Sequence, residues 1–375
     1  MGGIHQEFVY LILHTSKFGG TRIMVASDHR TFVFLGLAGE GDYIGEGGML
    51  RRADGEDEWV DISKGLPANP QVRALAIRPD DPKIVFAGTD KGVYRSKDRG
   101  DTWEALNDAG PGKEVWSLVI HPDNPDVMFA GYDPCSISRS KDGGDTWEMM
   151  DTSRVVYPHI TTYMPPTGKR VIGMAIDPTN TQDMYAAIEV GGLLSSRDGG
   201  ESWDSMIDGP YIKNNTLDLH QVQVSAAAPG TVHIATQTAM FRSRDKGARW
   251  EHVQVEEMFP GGSYCRDLLV APDDPKTIYL AAGAGGGAAP PDTVQEGALF
   301  KSTDAGETYD RMDLGERVPG RMMQIAIDRA APDHIYCAAY SGEIYSSTDG
   351  GGSWSKSMLP VEATRYLHVY PMVCG

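Results

Sequence analysis

Short apolar runs precede the proline-containing turns of this chain. When they are aligned, one column collects Arg22, Arg73, Trp116, Ile172, His220, Arg266 and Met323, with Arg365 joining if the tail supplies one more run. Arg170 and Arg321 stand two places earlier in their own runs. A guanidinium offers a planar fork of N–H donors that grips a carboxylate, sulfate or phosphate through paired hydrogen bonds. Brought to one opening, these arginines and Trp116 would bind a small anionic molecule in a chain that is otherwise acidic. In the opposing reading they are neutralised by Asp267, Asp218, Glu114 or backbone carbonyls, because a charge taken out of water must be matched.

Catalytic groups are available beside them. His220 lies in the column, and His159 lies in a long segment with Tyr157 and Tyr163. An imidazole titrates near neutrality and serves as a general base or a metal ligand, or simply as a hydrogen-bonding structural group. Asp90, Asp133, Glu189 and Asp267 supply carboxylates, and Glu189 and Asp267 join the two histidines as catalytic candidates. Two carboxylates cleave a glycosidic bond only at a separation of roughly 5 to 9.5 Å, which the fold must set. Gln221 and Gln324, one residue past the column, complete such a site or satisfy backbone groups. The chain has no H-x-H or H-E-x-x-H spacing, no glycine-rich phosphate cradle, no nucleophile elbow and no dinucleotide fingerprint. No cofactor is expected. A divalent metal in a shared channel, drawing one ligand from each of several segments, stays open.

The elements that would gather these residues are visible as an internal repeat. Ser96 to Trp103 (SKDRGDTW) recurs at Ser140 to Trp147, Ser196 to Trp203, Ser243 to Trp250, Ser302 to Tyr309 and Ser347 to Trp354, with a worn copy at Arg52 to Trp59. Flanking runs such as VRALAIRP, IVFAG and GVYRS repeat with it. They are β-branched or aromatic, and Pro-Asp-Asp-Pro, Gly-Thr-Asp and Asp-x-Gly turns separate them, so each unit reads as a four-stranded antiparallel sheet. Measured between the aspartates Asp54, Asp98, Asp142, Asp198, Asp245, Asp304 and Asp349, the spacings are 44, 44, 56, 47, 59 and 45 residues. That period predicts an all-β fold, a seven-bladed β-propeller of four-stranded antiparallel blades. Within each turn the aspartate can accept backbone N–H bonds, the glycine can take a positive φ and the tryptophan can lie on the sheet. The six intact aspartates are therefore read as structural, and the acidic positions of an EF-hand are missing.

The pattern S-x-D-x-G-x-[ST]-W resembles the Asp-box, or BNR, repeat over nearly the whole chain. It is similar to the propellers of sialidases, xyloglucan-cleaving glycosidases, sortilin-type receptors and the photosystem II assembly-factor family. Sialidase chemistry, as the resemblance implies it, uses three arginines on a substrate carboxylate, a tyrosine nucleophile assisted by a glutamate, and an aspartate as acid/base. Here Arg22-Ile23 is followed by Met24 where an Arg-Ile-Pro is typical, and spacing assigns no Tyr/Glu pair, so a true sialidase is not expected.

In such a ring the repeat turns lie on one face, and the loops leading into each first strand lie on the other. Two spacings exceed the base period by about 11 and 14 residues, in Asp151 to Arg170 and Gly283 to Gly297. Both are read as loops of the second face, with a third at Gly39 to Gly48, and a face decorated in this way is where a site is expected. Residues 1–20 are set apart as an N-terminal segment, an extra strand or disordered, and 21–375 as one propeller domain. The tail from Arg365 is expected to close the ring near Thr21 to Ser27.

With 34 Lys plus Arg against 52 Asp plus Glu, the formal net charge is −18. This balance argues against nucleic acid or an anionic membrane as partner. Four scattered cysteines and no signal-like or spanning run suggest a soluble, cytoplasmic protein. Two functional readings follow. The first, to which the sequence leans, is a hydrolase or lyase acting on a small polar or anionic substrate of the sugar acid, lactone or ester class. The second is a non-catalytic binding or assembly scaffold with a protein partner, similar to the photosystem II assembly-factor propellers.

Overall fold

Each repeat unit holds four short runs whose residues alternate between the two faces of a sheet, and no unit can bury both faces alone. In the computed structural model, which describes residues 30–39, 46–107, 110–157, 169–206, 218–253, 259, 263–285, 296–360 and 368–375, seven such sheets pack around an axis as a β-propeller. The innermost strands are His368–Cys374 in blade 1, Ala74–Ile77 in blade 2, Glu114–Ile120 in blade 3 and Arg170–Ile176 in blade 4. Leu219–Val224, Ser263–Val270 and Met322–Ile327 follow in blades 5, 6 and 7. Each touches the next, and the last touches the first, around a central channel. The core lies between blades. Phe129 and Ile137 of blade 3, for example, pack with Met174, Met184 and Trp203 of blade 4. Full burial of side chains of this kind contributes roughly 1.5–3 kcal/mol each.

The ring closes with chain segments from both ends. His368–Cys374 pairs antiparallel with Phe32–Ala38, Val33 opposite Cys374 and Leu37 opposite Val369. The tail was expected to pair near Thr21 to Ser27. It pairs instead with the next apolar run along and takes the innermost place of blade 1. Residues 21–27, with Arg22, and Arg365 lie outside the described residues.

The repeat turn folds as its residues predict. Asp98 accepts Thr102 N–H at 2.8 Å and the Thr102 hydroxyl at 2.6 Å, Ser96 Oγ accepts Gly100 N–H at 2.7 Å, and Gly100 has φ +90°. The same bonds recur at Asp142, Asp198, Asp304 and Asp349, while at Asp245 the backbone bond comes from Arg249. These turns also tie blade to blade. Arg51, Arg95, Arg139 and Arg242 each reach from a third strand to the acid of the next blade's turn, namely Asp101 (2.9 Å), Asp145 (2.8 Å), Glu201 (2.7 Å) and Glu307 (3.2 Å).

The insertion after Asp151 does not begin as a loop over the mouth. The outer strand of blade 3, Glu148–Met149, continues as Asp151–Arg154, which runs parallel to Ser202–Met206 and becomes a fifth strand of blade 4. Arg154 pairs with Asp204 at 3.0 Å and Val156 N–H bonds Ser205 Oγ at 2.7 Å. A polar run that changes partners between two sheets has no alternating pattern to announce it. Residues 158–168 of that insertion, and residues 286–295 and 40–45 of the other two, lie outside the described residues.

One irregularity positions the channel lining. The pairing of first with second strand slips by one residue at Trp116, Ile172, His220, Arg266 and Met323. A bulged residue has no ladder partner, so the backbone turns its side chain away from the sheet. Directly after each bulge the second strand offers a small residue: Gly131, Ala187, Ala235, Ala281 and Ala338. A Cβ on Gly131 would stand 2.5 Å from Val171 of blade 4, so the small residue is what lets the neighbouring inner strand approach.

Candidate functional site at the channel mouth

The bulged residues form one layer across the channel. In blade 2 the matching residue is Arg73, whose N–H bonds Gly88 O at 2.9 Å. In blade 1 the slip falls between Leu35 and Leu37, opposite Tyr370 and Pro371. The closing strand therefore contributes Tyr370, and the column position given to Arg365 belongs to this tyrosine. Its aromatic ring organises the layer. The Arg73 guanidinium lies 4.7 Å from the Trp116 ring and 5.7 Å from that of Tyr370, and Arg266 lies 5.7 Å from the same tyrosine. Trp116 and Tyr370 meet edge to face at 5.5 Å. Arg170 covers Trp116 at 4.0 Å, and Arg321 covers Tyr264 at 4.2 Å. Stacking of this kind holds a weakly hydrated guanidinium where an ammonium would be costly.

Two residues before the bulge in blades 3 to 7, at the rim, stand Glu114, Arg170, Asp218, Tyr264 and Arg321. Glu114 faces Asp133 across the first and second strands of blade 3, and Arg170 faces Glu189 across those of blade 4. Arg170 forms an ion pair with Glu189. Glu114 lies 3.7 Å from Arg73 and accepts the Trp116 indole N–H at 3.1 Å. Burial pushes the Asp133 carboxyl above its ordinary range; Arg170 pulls it back, while Glu114 and Glu189 push it further up. Thus three carboxylates and two guanidiniums converge at the rim of blades 2 to 4, one acid raised above its ordinary range by burial and a second held in an ion pair.

The other predicted residues take different places. His220 is buried, with Nδ1 2.7 Å from Cys265 O, Nε2 3.8 Å from Asp218 and its ring 4.7 Å from Tyr264. Asp267 is buried between blades, where it accepts Gln221 Nε2 (3.2 Å), Leu268 N–H (2.9 Å) and Ile325 N–H (2.9 Å). Burial pushes it up to about 6 against those bonds. Asp90 sits in blade 2, bonded to Gln71 N–H at 3.1 Å and Lys91 at 2.9 Å. His159 lies outside the described residues. Among the described residues no three His, Cys, Asp or Glu side chains gather as a metal site. The sequence alone makes Glu114 a neutralising partner and Asp133 one of four separate acids. What spacing could not supply is that adjacent blades bring Asp133 within the electrostatic reach of Glu189 and Arg170. Tyr370 was missed because no proline turn follows it to fix the alignment.

A family model described as Sortilin-Vps10 (sortilin, neurotensin receptor 3) matches residues 91–209. A xyloglucanase of Paenibacillus sp is 25% identical over 240 residues, covering 53% of this chain and 22% of that protein. The chain spans about a quarter of the length of the curated relatives it matches. Among solved structures, the GH74 enzyme of Niastella koreensis superposes with TM-score 0.58 at 18% identity, covering 76% of this chain and 45% of that one. YCF48 from Cyanidioschyzon merolae superposes with TM-score 0.51 at 14% identity, covering 82% and 96%. Both likenesses are of fold.

Proposed function

We propose that the rim of blades 2 to 4 binds a carbohydrate and hydrolyses a glycosidic bond, with Asp133 as general acid and Glu189 as its partner carboxylate. The observation that carries this reading is the split environment of the two acids. Asp133 is biased towards the protonated form by burial and by neighbouring carboxylates, while Glu189 is held in an ion pair by Arg170. Glycoside cleavage needs that division. One carboxylic acid donates its proton to the leaving oxygen as the C–O bond breaks, and the other acts at the anomeric carbon, through water or directly. Because Arg73 and Arg170 already face Glu114 and Glu189, the ligand of this rim is an uncharged sugar rather than an anion. The similarity to xyloglucanases makes xyloglucan oligosaccharides the first substrates to test.

The test is release of reducing ends from xyloglucan and its oligosaccharides by the purified chain, with Asp133→Asn and Glu189→Gln alongside. Each variant is expected to lose about 100-fold or more in rate while still binding oligosaccharide in calorimetry. Oligosaccharide binding without turnover by the unaltered chain would make this a binding propeller, the second reading. Neither binding nor turnover would overturn the site.

A further inference from the structure

The strand exchanged between blades 3 and 4 ends beside the rim. Past Asp151–Arg154, Val156 grips Ser205 of blade 4 twice. Its N–H bonds Ser205 Oγ at 2.7 Å, and its carbonyl accepts the Ser205 hydroxyl at 2.8 Å. Tyr157, the next residue, reaches blade 3, where its hydroxyl is hydrogen-bonded to the Cys135 thiol. Val155, Tyr157 and Cys135 all pack against the core that Ile137 and Met150 of blade 3 share with Trp203 of blade 4. Cys135 follows Asp133 by two residues, in the turn between Met128–Asp133 and Ser136–Ser140. Its N–H donates to Lys169 O at 2.6 Å, one place before Arg170 on the inner strand of blade 4. The turn that carries Asp133 is thus held from two sides. Among the described residues blade 4 alone has a fifth strand, and it is the blade whose Arg170 and Glu189 act on Asp133.

We propose that Arg154, Ser205 and Tyr157 are positioning residues for the rim, and that the exchanged strand is a strap holding the Asp133 turn against blade 4. Asp151–Arg154 is mostly exposed, so the strap adds little to the core. What it adds is a fixed height for the turn. A reacting carboxyl must be held within about 0.5 Å of its working place by neighbours that are themselves packed and bonded. With only Pro134 between them, a shift of Cys135 passes directly to Asp133. The inference rests on the reading of Asp133 as the rim's acid. Its readouts need no turnover, so the two can fail separately.

The experiment compares the full chain with two variants. Arg154→Ala with Ser205→Ala frees the strap from blade 4 and touches neither Cys135 nor Asp133; Tyr157→Ala removes its hold on Cys135. The first readout is iodoacetamide labelling of Cys135, located by peptide mass, the other three cysteines being buried. Burial pushes the Cys135 thiol up to about 11. Both variants should label at least about tenfold faster, the gain for one pH unit of recovered thiol acidity. The second readout is the titration of Asp133, by carbon-13 NMR of chain labelled at its aspartate carboxyls, with Asp133→Asn identifying the signal. The charged groups facing Asp133 are Arg170, Glu114, Glu189 and Arg73. Arg170 and Glu189 act in opposite senses and move off together when the seam loosens, so lost burial decides the sign. The Asp133 curve should move to lower pH in both variants. Labelling that stays slow when the strap is freed, or faster labelling with the Asp133 curve unmoved, would overturn the proposal. Should Tyr157→Ala fail to fold, the double variant, at the outer edge of blade 4, carries the test.

Discussion

His233 makes an acid-sensitive seam between blades 5 and 6. It sits on the second strand of blade 5, fully buried, and neither ring nitrogen has a hydrogen-bond partner among the described residues. Its Cε1 presses towards Gly306 in the turn of blade 6, 2.5 Å from where a Cβ would stand. The same place is held by Phe86 in blade 2 and Phe129 in blade 3, the latter as close to Gly200 as His233 is to Gly306. Burial first, and then the nearby Arg242, lower the imidazole from 6.5 to about 4. The folded pKa lies below the unfolded one, so the neutral ring's contribution is complete above about pH 6.5 and is lost as the pH falls towards 4. Linkage over that interval gives a loss of about 2 kcal/mol by pH 5 and about 3 kcal/mol below pH 4. His233→Phe removes the titration and two unpaired nitrogens. It should be more stable by about 1–3 kcal/mol at pH 7.5, and its advantage should widen by about 2 kcal/mol at pH 5. Urea midpoints of both proteins at pH 7.5, 6 and 5 measure this, and the difference between them cancels every other group. An advantage that stays constant with pH, or reverses at pH 7.5, would refute the argument.

The rim, the turns and the stacked layer give further tests. If Asp133 is the acid, the alkaline limb of the pH–rate profile reports its deprotonation. Arg170→Met, which removes the cation pulling that carboxyl down, should move the limb to higher pH, and Glu114→Gln should move it lower. Arg139 bonds Glu148 of its own blade at 2.6 Å and Glu201 of the next at 2.7 Å. With both acids exposed, a double-mutant cycle between Arg139 and Glu201 should give about 0.5–1 kcal/mol. Arg73→Met keeps the stem but loses the guanidinium between Trp116 and Tyr370, and should lower stability by about 1–2 kcal/mol in urea unfolding while shifting tryptophan emission.

The ring itself was legible because its information is local: the Ser, Asp, Gly and Trp of each turn serve that turn alone. The channel layer was legible for the same reason. Measured from the turn prolines, Trp116, Ile172, His220, Arg266 and Met323 share one register, and each proves to be the bulged residue of its strand. What one unit could not announce was what two units do together. The influence of Glu189 on Asp133 depends on the height at which blades 3 and 4 meet, and the exchange of Asp151–Arg154 onto blade 4 depends on an edge the strand does not contain. Closure failed by one element because Thr21 to Ser27 and Phe32–Ala38 both suit a strand by composition, and only pairing with the tail selects between them. The inter-blade arginines had a signal that went unread, an acid at the sixth place of the turn wherever the preceding third strand carries Arg51, Arg95, Arg139 or Arg242.

The slipped residue in each inner strand also bears on how such a lining can change over generations. Because that residue pairs with nothing across the ladder, exchanging it alters what the lumen presents without disturbing the hydrogen bonds that hold the wedge together. A tryptophan, an isoleucine, a histidine, an arginine and a methionine already occupy equivalent stations here, on strands of nearly the same backbone course. Selection can therefore retune what the bore accepts one wedge at a time, while the small alanine or glycine behind each station preserves the spacing of the whole.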